Sequence, residues 1–191
     1  MSSNQSRPFT VGLYGIGLDT YWPQFPGLYE RLQGYQQEIA ERISRDHPQI
    51  KLINTGIVDN PEQARQVGSR LAREQVDMVL LYISTYALSS TVLPVVQQVK
   101  APVIVLSLQP TAAIDYDAFN ALGDRGVMTG EWLAYCQACS APEIASVFSR
   151  SHIDYHLVAG TLPDPAAWQE IDGWLTAGQA AVGLAETRIG L

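Results

Sequence analysis

The sequence predicts an α/β domain of three layers, Rossmann-like or flavodoxin-like, built on a parallel sheet. Three observations carry this. Residues 77–83 (DMVLLYI) and 103–108 (VIVLSL) are short continuous apolar runs around a helical stretch, and runs without alternation suit parallel strands covered on both faces. Upstream, residues 10–14 (TVGLY) and 51–55 (KLINT) are further strand-like runs, each followed by a helical segment, so residues 11–108 read βαβαβαβ. Polar residues then close the later runs, Ser84, Thr85 and Tyr86 after one and Ser107 and Gln109 in the other. These fall at carboxyl ends of strands, the edge at which open α/β sheets bind ligands.

In chain order, residues 1–9 form a polar leader and residues 10–187 a single α/β domain. After the first strand, Gly15 and Gly17 turn the chain into a loop carrying Asp19, Tyr21 and Trp22, long for a βα connection. Residues 27–46 place Leu28, Leu32, Tyr35, Ile39 and Ile43 at threes and fours with charges between, which predicts an amphipathic helix. Residues 61–74 read as a second helix with Pro61 at its first position. Beyond Gln109 the pattern loosens. Residues 111–125 read as loop and turn with a short helix, 130–138 and 142–149 as helices, 155–158 as a short strand, and 165–186 as a long alanine-rich helix. Residues 188–191 read either as a frayed terminus or as the first strand of a missing second domain.

A chain of 191 residues, 47% hydrophobic with mean hydropathy near zero, can bury a sizeable core in one domain. Its net charge of −7 disfavours nucleic acid and anionic membrane as partners, both of which call for a basic surface. A neutral or cationic small molecule, or another protein, fits better. No apolar run approaches the ~18–20 residues needed to span a bilayer, and the first residues lack the apolar core of a signal peptide. Two cysteines make no disulfide framework. The expected compartment is the cytoplasm.

Cys136, Cys139, His152 and His156 match the ligand spacing of a Cys2His2 zinc finger. The match reads as accidental, because Glu143 and Ser149 stand where a finger needs its small apolar core. The same cysteines are expected as buried helix residues rather than a redox pair, since they fall late in a helical run. Gly12, Gly15 and Gly17 follow the start of a dinucleotide fingerprint, but Thr20 replaces the third glycine, and Pro23 and Pro26 delay the helix that would face a pyrophosphate. That also disfavours a flavin- or nucleotide-binding reading. Ser84, Ser89, Ser90 and Ser107 have no histidine placed to activate them, so nucleophilic catalysis has little support. Tyr21, Trp22 and Tyr86 lie in predicted loops, where their rings suit stacking on a sugar or packing against another subunit. Asp19, Asp115, Asp117, Asp124 and Glu131 read by default as solvated loop acids.

The order of residues 15–22 (GIGLDTYW), 82–86 (YISTY), 105–109 (VLSLQ) and 130–132 (GEW) resembles the N-terminal domain of L-arabinose isomerase and L-fucose isomerase-like proteins over nearly the whole chain. The chain departs from arabinose isomerase at Ser84, where that enzyme has a histidine, and at residues 126–130, which resembles a divergent, fucose isomerase-like member. The resemblance implies an oligomeric, metal-dependent aldose–ketose isomerase whose catalytic and metal-binding residues lie in later domains, with Mn²⁺ as the ion and none held by this chain. It implies a sugar substrate facing Asp19, Tyr21, Trp22, Thr85, Tyr86, Gln109 and Glu131, and self-association. The alternative is a stand-alone polyol-binding or assembly module of the same fold.

Overall fold

A computed structural model of the chain describes residues 7–187. Five strands, β1 (Thr10–Ile16), β2 (Lys51–Val58), β3 (Met78–Ile83), β4 (Val103–Gln109) and β5 (Tyr155–Thr161), form one sheet in the order β2-β1-β3-β4-β5. Every pairing is parallel. This is the doubly wound, flavodoxin-like order, whose switch point lies between β1 and β3. The predicted class is the observed one.

Helices cover both faces of the sheet. Val11, Leu13, Leu80, Tyr82, Leu106 and Val158 point to the face packed by α1 (Leu28–Asp46) and α7 (Pro165–Glu186), with Ile39 and Ile43 of α1 and Trp168 and Ile171 of α7 closing that layer. Tyr14, Ile16, Val79, Leu81 and Val105 point to the other face, against Val67 and Leu71 of α2 (Pro61–Arg73), Val95 and Val96 of α3 (Leu93–Val99), and Ile144 and Phe148 of α6 (Ala141–Arg150). The period of two in the strands and of three to four in the helices meets in these layers. Local signals set the helix starts. Asn60 accepts from the Gln63 backbone N–H at 2.9 Å with Pro61 behind it, and Asp164 accepts from that of Ala166, as N-caps do.

β1, β2, β4 and β5 run past their predicted ends, while β3 stops at Ile83 as expected. β2 continues to Val58 through Gly56, whose φ of +78° lets the register with β1 shift there. Residues 111–125 fold into α4 (Tyr116–Ala121) and lead into α5 (Arg125–Leu133), each capped by the aspartate before it. α5 therefore starts earlier than expected and ends before the cysteines. The reason is largely tertiary: the Thr85 hydroxyl donates to Leu133 O at 2.7 Å, and the Gln137 amide donates to Ala134 O at 2.8 Å. Side chains thus take carbonyls that a continuing helix would use. Among the described residues no helix is long and apolar enough to cross a membrane. Most of the polar leader and the strand expected at residues 188–191 lie outside the described residues.

Candidate functional site

The carboxyl edge of the sheet is assembled around the switch point. β1 leaves through Gly17, where a Cβ would stand 2.9 Å from the Trp22 ring and from Ile57. Glycine lets the indole fold back against the strand end, and the indole N–H donates to Asp59 Oδ2 at 2.7 Å. Around it the rings of Tyr21, Phe25 and Tyr29 meet edge to face, Trp22 and Tyr29 with centroids 5.1 Å apart, the arrangement that ring quadrupoles favour.

Residues 133–140 are laced onto this edge by buried hydrogen bonds. Besides the Thr85 bond, the Gln137 amide donates to Ser84 O at 2.8 Å, Ser107 Oγ donates to Gln137 O at 3.3 Å, and Ser140 Oγ accepts from the Ala87 N–H at 2.8 Å. Ser84 Oγ in turn donates to Ile16 O at 2.6 Å. The ends of β1, β3 and β4 are thereby joined through one short segment, and a buried network of this kind fixes its members in place.

That segment presents Cys136 and Cys139. A turn closes between them, Cys139 N–H donating to Cys136 O at 3.1 Å, and the Cys139 thiol approaches Cys136 Sγ at 2.8 Å. Cys136 is buried and Cys139 exposed, neither in a disulfide. Burial pushes the Cys136 thiol well above the usual cysteine range, and the neighbouring Cys139 adds to the shift. Tyr21 belongs to the same neighbourhood: burial raises its hydroxyl first, and then Tyr86, Cys136 and Cys139 raise it further.

The residues singled out from sequence divide into two groups. Asp19 is exposed in a 3-10 turn, while Tyr21, Tyr86 and Gln109 are half-buried at the same edge. Trp22 is tied to Asp59, Thr85 is buried with its hydroxyl on Leu133 O, and Glu131 is paired with Arg31. Sequence reasoning missed the cysteine pair as a site. Its spacing was visible, but the expected helix would have turned both residues into core. The finger-like histidines lie elsewhere: His152 precedes β5 and His156 is at its amino end, opposite the cysteines. Among the described residues no three His, Cys, Asp or Glu side chains gather as a metal site would. A cavity of about 620 Å³ also lies at the amino edge, between β4, β5 and Trp174. A second of about 380 Å³ adjoins the carboxyl edge, between Phe25, Arg31, Asp124 and Glu131.

No family model and no curated protein matches the chain. Among solved structures it is similar to a GDSL-like lipase from Bacteroides thetaiotaomicron, at 12% identity over 93% of this chain and 89% of that one, TM-score 0.42. It is also similar to a Bacteroides fragilis protein described as an acylhydrolase, at 14% identity over 96% and 89%, TM-score 0.40. A third is an ABC transporter solute binding protein from Thermobispora bispora, at 17% identity over 86% and 56%, TM-score 0.33. None of the three is a sugar isomerase. The isomerase resemblance is corrected accordingly, and with it the isomerase-domain function and the alternative of a polyol-binding or assembly module. The physical reason lies in the matched residues. Turn glycines after a first strand and hydroxyl or amide side chains after later ones are common to parallel sheets of this order. Here Thr85 and Glu131 are bonded within the fold.

Proposed function

We propose that the protein carries out thiol–disulfide exchange, with Cys136 and Cys139 at the carboxyl edge of the sheet as its reactive pair. The observation behind this reading is the 2.8 Å approach of two sulfurs, one exposed and one buried. A turn closed by an i to i+3 hydrogen bond holds its end Cα atoms within ~7 Å, close to the span that a disulfide bridges.

Exposure and burial divide the roles. Cys139, as thiolate, attacks one sulfur of a disulfide R–S–S–R; that bond breaks, and the first RS⁻ leaves and takes up a proton. Cys136 then gives up its proton and attacks the Cys139 sulfur of the mixed disulfide, expelling the second RS⁻, which is protonated in turn. Two thiols become one disulfide, one R–S–S–R becomes two R–SH, and the protons lost by the cysteines are those the leaving groups gain. Cys139 lies one residue before Ser140, the N-cap of α6. Tyr21, kept protonated by its burial, is a neutral neighbour of the reacting sulfurs. A reducing compartment such as the cytoplasm, where the pair rests as a dithiol, fits the role.

An acyl-hydrolase reading finds no side chains to carry it. The hydroxyls of Ser84, Ser107 and Ser140 donate to backbone carbonyls. His47 follows the carboxyl end of α1, and His152 and His156 lie at the start of β5, all at the opposite edge. No described histidine is therefore placed as the base of a serine nucleophile at the carboxyl edge.

The test is to equilibrate the reduced chain in buffers of 2-mercaptoethanol and its disulfide, block free thiols, and weigh the products. The expected result is one two-electron transition to a species lacking two hydrogens, absent in Cys136→Ser and Cys139→Ser. A chain that keeps two alkylatable thiols in the most oxidising buffer overturns the proposal.

A further inference from the structure

We infer that the disulfide this pair exchanges with is cationic or uncharged, and that anionic disulfides are held off by the field of the edge on which the pair sits. The inference rests on the dithiol reading and adds the charge class of its substrate.

In a parallel α/β fold, every strand's carboxyl end and the N-termini of the helices that follow lie at one edge, with the helix C-termini at the other. The charges of this chain separate along that axis. At the carboxyl edge stand Asp19, Asp59, Asp115, Asp124, Glu143 and Asp164. The loops leaving the described strands at this edge hold neither Lys nor Arg; the cation next in the chain, Arg125, begins α5, and the Arg31 guanidinium is bound by Glu131. At the amino edge, Arg45 ends α1, Arg70 and Arg73 end α2, Lys100 caps α3 and Arg150 ends α6.

Helix capping explains part of this separation and does not cancel it. Asp115, Asp124 and Asp164 accept from backbone N–H groups of α4, α5 and α7, and each helix end offsets about half a charge. Three acids at the amino edge face cations: Asp46 pairs with Arg45, Glu74 with Lys51 and Asp77 with Arg7. The chain's net −7 therefore falls mainly on the side that carries Cys139. Exchange passes through sulfur anions, so a carboxylate on the incoming disulfide adds repulsion, while an ammonium group is drawn toward the exposed thiolate. Tyr21, the half-buried neighbour of the pair, supplies a neutral wall.

The experiment compares three small disulfides: cystamine, a dication; bis(2-hydroxyethyl) disulfide, uncharged; and dithiodiglycolate, a dianion. Each rate of oxidation of the full reduced chain is divided by the rate of the same disulfide with N-acetylcysteine amide, which removes intrinsic reactivity. At low ionic strength the normalised rate for cystamine should exceed that for dithiodiglycolate by about tenfold or more, with the neutral compound between. The ratio should fall toward one near ~0.5 M salt, where screening lengths drop below ~5 Å, and should shrink in Asp19→Asn. Equal normalised rates, or a faster dianion, while the pair still oxidises would overturn the charge selection alone. Failure of all three to oxidise the pair would overturn the dithiol reading and this inference with it.

Discussion

The guanidinium of Arg31 holds the carboxylate of Glu131 by two hydrogen bonds, Nη1 to Oε2 at 2.5 Å and Nη2 to Oε1 at 3.1 Å, across a hundred residues of chain. The same guanidinium donates from Nε to the Tyr35 hydroxyl at 2.7 Å and lies 5.6 Å from the Tyr135 ring centre. One side chain thus joins α1 to α5 and to the segment that carries Cys136. The hydrogen bond to Glu131 leads the rise of the Arg31 pKa, against a smaller opposing effect of burial.

Both partners are about a third exposed, so solvent weakens the pair, and its contribution should be about 1 kcal/mol rather than that of a buried fork. Arg31→Met and Glu131→Gln should each lower stability by about that amount. The double variant should lose less than the two losses added, because the second change removes a partner already gone. Urea midpoints of the four proteins measure the coupling; strictly additive losses would show that the contact does not stabilise the fold.

This contact also marks where sequence reading stopped. The parallel sheet was legible because continuous apolar runs such as residues 77–83 suit strands buried on both faces, and Pro61 at the first position of α2 follows a local rule. The cysteine site was not legible, because the residues that end α5 there come from far away. Thr85 and Ser84 reach residues 133–137 from the end of β3, and no window around Cys136 contains them. The expected helix over residues 130–138 followed local propensity, which tertiary hydrogen bonds overrode.

Gln137 stands between the two cysteines with its amide fully buried, donating to Ser84 O and Ala134 O, and its Oε1 has no partner among the described protein atoms. Gln137→Leu would leave both carbonyls without that donor, a cost of about 2 kcal/mol or more. The thermal midpoint should fall, and amide exchange at residues 133–140 should quicken more than in the strands. Unchanged protection there would mean that Gln137 does not hold the segment.

Tyr14 offers the opposite case. Its hydroxyl is fully buried in the layer under α2 and α3 and has no hydrogen-bond partner among the described protein atoms. Tyr14→Phe keeps the ring and removes the unpaired group, so stability should hold or rise by about 1 kcal/mol. A loss of that size in the denaturant midpoint would reveal a partner for the hydroxyl in solution.

Rising pH should lower the stability of the fold in two stages. Burial is the leading cause that holds the Cys136 thiol and the Tyr14 and Tyr82 hydroxyls above their ordinary ranges in the folded chain. Unfolding exposes these groups, which then ionise at about 8.5 for a thiol and about 10 for a tyrosine. Above each value the unfolded chain binds fewer protons than the folded one, so stability declines as pH rises, by up to about 1.4 kcal/mol per pH unit for each group; below those values its contribution is complete. Urea midpoints from pH 7 to 11 should therefore decline gently first and steeply past the tyrosine range. Cys136→Ser should flatten the first stage and Tyr82→Phe the second. A midpoint constant to pH 10.5 would show that these groups ionise as readily folded as unfolded, and that water reaches them.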